Sequence, residues 1–490
     1  MYLTQSLHRA VQQHPQRIAT KFQDRKFTYV EFASRVGKLA GALKNLGVKE
    51  GDRIAILSLN SDRYLEYQMA VPWAGGVLNP CNTRWSSAEI VYSLNDSGSS
   101  ILFVDDRYQE MASEFRSEVK CLTQIIYCGE RNTPSGMLNY EDLISNANPV
   151  EDSIRRGSDL AGIFYTGGST GFPKGVMLSH NNICVSAMGL HAEGAATPGG
   201  TYLHAAPMFH LADMGLAMPH WFEGNCHSIS PPYDPDRIFD PIQTLATIAR
   251  DRVTHTFMVP TMIEMLIDVR EFDRAPDLST LNTILYGASS ISDITLERAM
   301  VALPGVNFVE AYGMTELSPV ATIKPSYFST AVGRKHKKLR SAGRASFHAE
   351  VKIVNEEGGE VARGTLGEIV VRGPHVMQGY WNNPEATAVA IRKGWMHTGD
   401  GGYMDEDGFI FVADRFKDMI ITGGENVYSA EVENAITQHP GVASCAVIGI
   451  PSTHWGEAVH AVIVCKHGYD REPLKTSPPD GTAANATITA

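Results

Sequence analysis

The sequence predicts an α/β protein in two parts. The larger, N-terminal part is a set of mixed and parallel sheets flanked by helices, ending in a small twisted, barrel-like sheet. A small, incomplete α+β domain follows. Three observations carry this expectation. The chain has 490 residues, more than one hydrophobic core usually serves. Helical and strand patterns alternate through the first 150 residues and again from 183 to 310, as βαβ units require. From about residue 341 the pattern changes to short strands between glycine-rich turns.

Taken in order, Phe32 to Leu46 carries apolar residues at helical spacing (Phe32, Val36, Leu39, Leu43, Leu46) and stops at Gly47. Gly51-Asp52 turns into a short buried strand, Arg53 to Ser58; Tyr64 to Trp73 is helical, and extended structure resumes from Ala74 to Pro80. Later come a strand at 253–259, a helix at 261–270 and a strand at 281–286. Val351 to Val354, Gly367 to Arg372 and Gly408 to Ala413 form the smaller sheet. Asp414 to Asp418 is a charged boundary, after which Ser429 is expected to cap a helix stopped by Pro440-Gly441. The expected parts are a large domain at 1–413, a hinge at 414–418, a shortened lid at 419–470 and a disordered tail at 471–490.

The composition is that of a folded soluble protein, with 43% hydrophobic and 20% charged residues. A net charge of −12 argues against nucleic-acid binding, and the dense cationic run Arg334 to Arg340 reads as a solvated loop. Seven scattered cysteines without metal-ligand spacing suit free thiols in a reducing compartment. Neither a signal-like apolar region nor eighteen consecutive apolar residues occurs, so a cytoplasmic protein without an integral membrane segment is expected.

The most informative run is Tyr165-Thr-Gly-Gly-Ser-Thr-Gly-Phe-Pro-Lys-Gly-Val176, which follows the apolar strand end Leu160 to Phe164. Thr166, Gly167, Gly168, Ser169, Thr170 and Gly171 supply close backbone approach and hydroxyl donors, and Lys174 supplies a mobile charge, as a phosphate cradle needs. It is not a Walker A loop, because Pro173 and Gly175 flank the lysine. Pro173 biases Phe172 away from helical geometry, so Lys174 is expected on a loop.

Five further segments recur in a known order: Tyr286-Gly-Ala-Ser-Ser290, Tyr312-Gly-Met-Thr-Glu316, Thr398-Gly-Asp400, Asp414-Arg-Phe-Lys-Asp418 and Gly423-Gly-Glu-Asn426. Together with the loop they make the chain, over residues 5–465, resemble the acyl-adenylate-forming superfamily, in its acyl-CoA ligase branch. The resemblance implies ATP, Mg²⁺ and CoA as cofactors and a carboxylic acid as substrate. It places Thr166 to Gly171 and Lys174 on the β- and γ-phosphates, Thr315 on the α-phosphate and Glu316 on Mg²⁺. Gly287, Ala288, Ser289, Tyr312, Gly313 and Met314 would hold adenine and floor the acyl pocket, and Asp400 and Arg415 would hold the ribose. His210, after Pro207-Met-Phe, would gate the route to the carboxyl, whereas amino-acid-activating relatives carry aspartate there. Gly423, Gly424, Glu425 and Trp455 would line the CoA path, with Lys417 as hinge. Lys174, Thr315, Glu316 and His210 are thus the expected catalytic set.

A medium- or long-chain fatty acid is the expected substrate, on the strength of Leu211, Met214, Leu216, Met218, Leu285 and Ile291 near His210 and Tyr286. An aryl or short-chain acid, acyl transfer to a carrier protein, and a non-catalytic nucleotide-binding relative stay open, as does a homodimer. Two departures from the family stand out. Thr166-Gly167-Gly168 replaces the usual Thr-Ser-Gly, a tolerable loss of at most one neutral hydrogen bond, about 1 kcal/mol. The glycine-lysine pair expected beyond Cys465 is absent, and Lys475 lacks its flanking pattern. Adenylation is therefore expected to be slowed by about 10²–10³.

Overall fold

Helix Tyr29–Asn45 shows how the local code is read. Thr28 and Glu31 form a reciprocal capping box at its start. Phe32, Val36, Leu39 and Leu43 are fully buried along one face. The chain leaves the helix through Gly47, at φ +93°. The computed structural model describes all residues except 169–170, 232–238, 273–275, 416–418, 423–424, 438, 440, 453–454, 466–485 and 489–490.

Two large sheets make the body. In the nine-stranded one the strands run Arg344–Ala345, Thr322–Lys324, Asn307–Tyr312, Thr283–Gly287, His255–Met258, Thr201–His204, Cys226–Ile229, Ile18–Phe22 and Arg25–Thr28. Its interior pairs are parallel and its two ends antiparallel. The interior strands are buried on both faces, as parallel strands covered by helices must be. The eight-stranded sheet runs Gly379–Tyr380, Gly171–Ser179, Leu160–Gly168, Val77–Pro80, Arg53–Leu57, Ile101–Val104, Gln124–Tyr127 and Leu138–Asn139. A curled five-stranded sheet follows, built from Glu350–Val354, Gly367–Arg372, Trp395–Met404, Ile391–Arg392 and Ile410–Arg415. A small C-terminal α+β unit, with strands Ile420–Thr422, Glu425–Val427, Val442–Ser452 and Gly456–Cys465 and helix Ser429–Ile436, completes the chain.

Three local expectations are corrected. Lys174 lies on a strand and not on a loop: Gly171–Ser179 pairs with Leu160–Gly168, and Lys174 stands opposite Thr166. Pro173 falls beside a register shift, where a missing N–H costs the ladder nothing. Ser429 does not cap its helix. It is the first helical residue, and the Asp414 carboxylate caps it, accepting both its N–H (2.8 Å) and its hydroxyl (2.6 Å). In the expected tail, Ala486–Ile488 forms a short strand beside Ala461–Ile463, whose free edge offers unpaired backbone groups.

Three cations of the run are paired locally: Arg334 with Glu297, Lys338 with Asp405 and Asp407, and Arg340 with Asp293. All seven cysteines are free thiols, four of them buried. Among the described residues no helix is long and apolar enough to cross a membrane.

Candidate active site

The hairpin that carries Lys174 is braced from below. Tyr165 donates to Asp96 Oδ2 at 2.6 Å, and Trp381 Nε1 donates to the Asp96 carbonyl at 2.9 Å. Phe172 stacks on Tyr92, with ring centroids 4.5 Å apart. Ser169 and Thr170 lie outside the described residues.

Strand Gly379–Tyr380 adds to the edge of this hairpin, with Tyr380 opposite Val176. That pairing puts Lys174 Nζ 5.2 Å from the centroid of the Tyr380 ring. The Tyr380 hydroxyl donates to Glu316 Oε1 at 2.8 Å. Glu316 sits in a single 3₁₀ turn, Thr315–Leu317, and is 5% exposed. Burial raises its pKa, opposed by the Tyr380 hydrogen bond and by the charges of Arg415 and Lys174. Tyr380 thus links the two groups most suited to a metal–polyphosphate, and motif spacing gave no sign of it.

A second polar cluster lies across the curled sheet. Asp400 stands opposite Arg415 in the register of Trp395–Met404 and Ile410–Arg415, with Arg415 Nε 3.5 Å from Asp400 Oδ1. The Tyr312 hydroxyl donates to Asp400 Oδ2 at 2.7 Å. Burial raises the Asp400 pKa, while Tyr312 and Arg415 pull it down. A carboxylate held this way keeps lone pairs free for a diol.

Gly287 and Gly313 let the strands between these clusters approach closely. A Cβ on Gly287 would lie 2.1 Å from the Ala311 carbonyl oxygen, and one on Gly313 would lie 2.1 Å from that of Pro319. Both obstacles are backbone. Gly313→Ala is therefore expected to lose about 1–3 kcal/mol of stability, measured by denaturant unfolding. Unchanged stability would mean that the Pro319 turn gives way freely. Ala288 carries φ +69°, a left-handed conformation unusual for alanine, and it sits at the cavity wall. Tyr286 belongs to the core, fully buried with its hydroxyl on Glu310. It does not line the cavity.

That cavity has a volume of about 480 Å³. Gly313, Met314 and Thr315 belong to its wall, together with the apolar side chains of Leu216, Phe239, Phe257, Val259, Met262 and Met265. Of the six apolar residues expected there, Leu211 and Leu216 line it; Met214, Met218, Leu285 and Ile291 pack in cores instead. His210 stands at the wall as the residue preceding helix Leu211–Phe222. The residue is exposed at this wall, and the protein around its ring pushes its pKa down to about 4, helped by Arg84. The imidazole is neutral at pH 7.

Of the expected CoA-path residues, Gly423 and Gly424 lie outside the described residues, as does the hinge residue Lys417. Glu425 is the first residue of a strand paired with Ile420–Thr422, and Trp455 is 44% exposed. Nearby, Glu457 accepts the Ile421 N–H at 2.7 Å.

A cation and a carboxylate bridged by Tyr380, a second carboxylate held by Tyr312 and Arg415, and a mostly apolar cavity with Thr315 in its wall together suit a nucleotide and an organic acid. Comparison with known proteins agrees. Residues 7–381 match the AMP-binding enzyme family, and residues 431–480 match the AMP-binding enzyme C-terminal domain, a match that runs past the boundary expected at 470. The chain is 36% identical to a feruloyl-CoA synthase of Amycolatopsis sp, over 94% of this chain and 88% of that protein. It is 34% identical to the indoleacetate–CoA ligase of Aromatoleum aromaticum, over 96% and 89% respectively. The structure of o-succinylbenzoate CoA synthetase from Bacillus subtilis with its acyl-adenylate intermediate aligns with a TM-score of 0.84 at 28% identity, covering 100% of this chain and 94% of that one. The chain belongs to the AMP-binding enzyme family, among its acyl- and aryl-CoA ligases.

Proposed function

We propose that the chain joins an aryl or arylalkyl carboxylic acid to coenzyme A in two steps. The acid's carboxylate attacks the α-phosphorus of ATP and pyrophosphate leaves. The CoA sulfur then displaces AMP from the acyl carbon, releasing the thiol proton. The observation that carries this reading is the mostly apolar cavity with Thr315 in its wall, next in sequence to a buried Glu316 that Tyr380 ties to Lys174.

In this reading Thr166 to Gly171 and Lys174 hold the β- and γ-phosphates, and Thr315 meets the α-phosphate. Asp400 accepts the ribose hydroxyls, with Arg415 and Tyr312 fixing its carboxylate. Gly287 to Ser289, Gly313 and Met314 form the nucleotide wall. His210 stands between the acid's carboxyl and the direction from which the thiol enters. Gly423, Gly424, Glu425 and Trp455 serve the CoA path, and Lys417 the hinge. Mg²⁺, when bound, neutralises the polyphosphate. Glu316 would hold it, since one buried carboxylate fits a cation that takes one or two protein carboxylates and completes its shell with phosphates and water.

The cavity suits a compact acid whose body carries no positive charge. Among the described residues its wall holds no carboxylate, its polar groups are Thr261, Thr315, His210 and Arg84, and its volume of about 480 Å³ is in the usual range for small-ligand sites. The relatives named for feruloyl and indoleacetate substrates support an aryl acid. A panel of phenylpropenoic, arylacetic, long-chain and dicarboxylic acids, scored by CoA-dependent thioester formation, tests this. The aryl acids are expected to lead in kcat/KM by about tenfold or more. A long-chain or dicarboxylic acid in the lead would overturn the assignment.

A further inference from the structure

Outside the nucleotide clusters lies a fully buried acid–imidazole pair that neither step of the proposed reaction uses. Asp213 Oδ2 is 2.6 Å from His204 Nδ1, and both side chains are 0% exposed. His204 ends the strand Thr201–His204, and Asp213 lies in the first turn of helix Leu211–Phe222. The stretch between them supplies Ala205, Ala206, Pro207, His210, Leu211 and Ala212 to the wall of the acid cavity. The pair therefore closes the base of one wall segment, and His210 stands on that segment.

The surroundings show how the clasp is held. His204 Nε2 lies 3.0 Å from His227 Nδ1, and the His227 ring stacks on Trp221 at 3.8 Å between centroids. Trp221 belongs to the last turn of the same helix, so that helix is tied to the sheet at both ends. Asn60 braces the opposite side of the segment, donating to the Ala206 carbonyl at 2.7 Å and accepting the Met208 N–H at 2.9 Å. His210 itself makes no side-chain cap to its helix, and Asp213 N–H donates to its carbonyl at 3.1 Å. Among the described residues Asp213 Oδ1 has no partner, so His204 is what orients the carboxylate. A buried polar group is costly to leave unpaired, so the geometry of the turn is coupled to the clasp.

We propose that Asp213 and His204 are positioning residues: their buried clasp sets the place of His210 against the carboxyl group of the bound acid. This rests on the role of His210 in the proposed function. The test is a double-mutant cycle on the full chain, with an aryl acid, ATP and CoA as probes. Asp213→Leu and His204→Leu are each expected to lower kcat/KM for the acid about tenfold, approaching the effect of His210→Ala. KM for ATP should stay within about twofold of wild type, which a merely structural defect would not spare. In the His210→Ala background the same two changes should add less than about twofold. His204→Asn, whose amide can place a donor where Nδ1 stands, should recover most of the loss.

Full additivity with His210→Ala, equal shifts in the ATP and acid constants, or no recovery by asparagine would each overturn the clasp. If His210→Ala alone leaves the acid's kcat/KM unchanged, the role of His210 is what fails, and the clasp then has nothing to position. Should Asp213→Leu fail to fold, the His204→Leu and His204→Asn pair in both backgrounds decides the same question.

Discussion

Lys174→Ala and Glu316→Gln are each expected to slow pyrophosphate formation by about 10²-fold or more, with little effect on folding. Lys174 is held over the Tyr380 ring by a single cation–π contact at 5.2 Å, and its removal leaves the hairpin pairing of Gly171–Ser179 intact. Glu316→Gln keeps an oxygen to accept the Tyr380 hydroxyl, so the buried hydrogen bond survives while the charge is lost. In the proposed reaction both charges act on the polyphosphate, which leaves with more negative charge than it brought. Tyr380→Phe separates structure from chemistry, because it keeps the ring beneath Lys174 and frees the Glu316 carboxylate. Pyrophosphate release, followed with and without the acid, reads all three variants. Wild-type rates in Lys174→Ala and Glu316→Gln would remove the phosphate site from this face of the sheet.

Acid should unfold the protein over a window set by its buried imidazoles. Burial lowers the pKa of His180 and His255 to about 4 and of His375 to about 3. His220, His227 and His348 shift in the same direction for the same leading cause. In the unfolded chain each ring returns to its ordinary value near 6.5. Above that value neither state binds a proton and the native state is unaffected. Below it the unfolded chain takes up protons that the native core refuses, so stability falls as pH drops from about 6.5 toward 4. Each such ring removes about 1.4 kcal/mol per pH unit in that window. With several rings shifted in the same direction, the fall is expected to be steeper than a single group would give.

Thermal unfolding at fixed ionic strength from pH 8 to 5 should show a plateau and then a steep fall. His375 offers an internal check, because the side chain is 0% exposed and packs edge-on against the His348 ring, with no side-chain hydrogen bond to either ring nitrogen among the described residues. His375→Leu should be neutral or stabilising at pH 7 and should reduce the slope below pH 6.5. A flat profile down to pH 5 would mean that these rings are protonated or hydrated in the native state.

How much of this was legible in the sequence depends on whether a feature is local or made by pairing. Helix Tyr29–Asn45 and strands Arg53–Leu57, His255–Met258 and Thr283–Gly287 fall where their apolar periods and turn residues put them. Thr315, Glu316 and Asp400 stand out in the sequence because their motifs are contiguous. Tyr380 could not, since its place comes from a two-residue strand that pairs with Val176 and Met177 far back in the chain. Met214 and Met218 share helix Leu211–Phe222 with the cavity residues Leu211 and Leu216. Periodicity identifies the buried faces of such a helix without saying which one faces a void and which a core. The capping of helix Ser429–Ile436 failed in sequence for a related reason: a local serine looks sufficient until a carboxylate from a distant segment, Asp414, arrives.

The most direct test of a two-step acid–CoA ligase takes the two halves separately on one sample. The purified chain is mixed with an aryl acid, ATP and Mg²⁺ in the absence of CoA, and nucleotide and acid products are followed by mass spectrometry; CoA is then added. The expected result is pyrophosphate with enzyme-held acyl-AMP in the first stage, and its conversion to acyl-CoA and AMP in the second. ADP and phosphate as first products, or acyl-AMP that CoA leaves untouched, would contradict it.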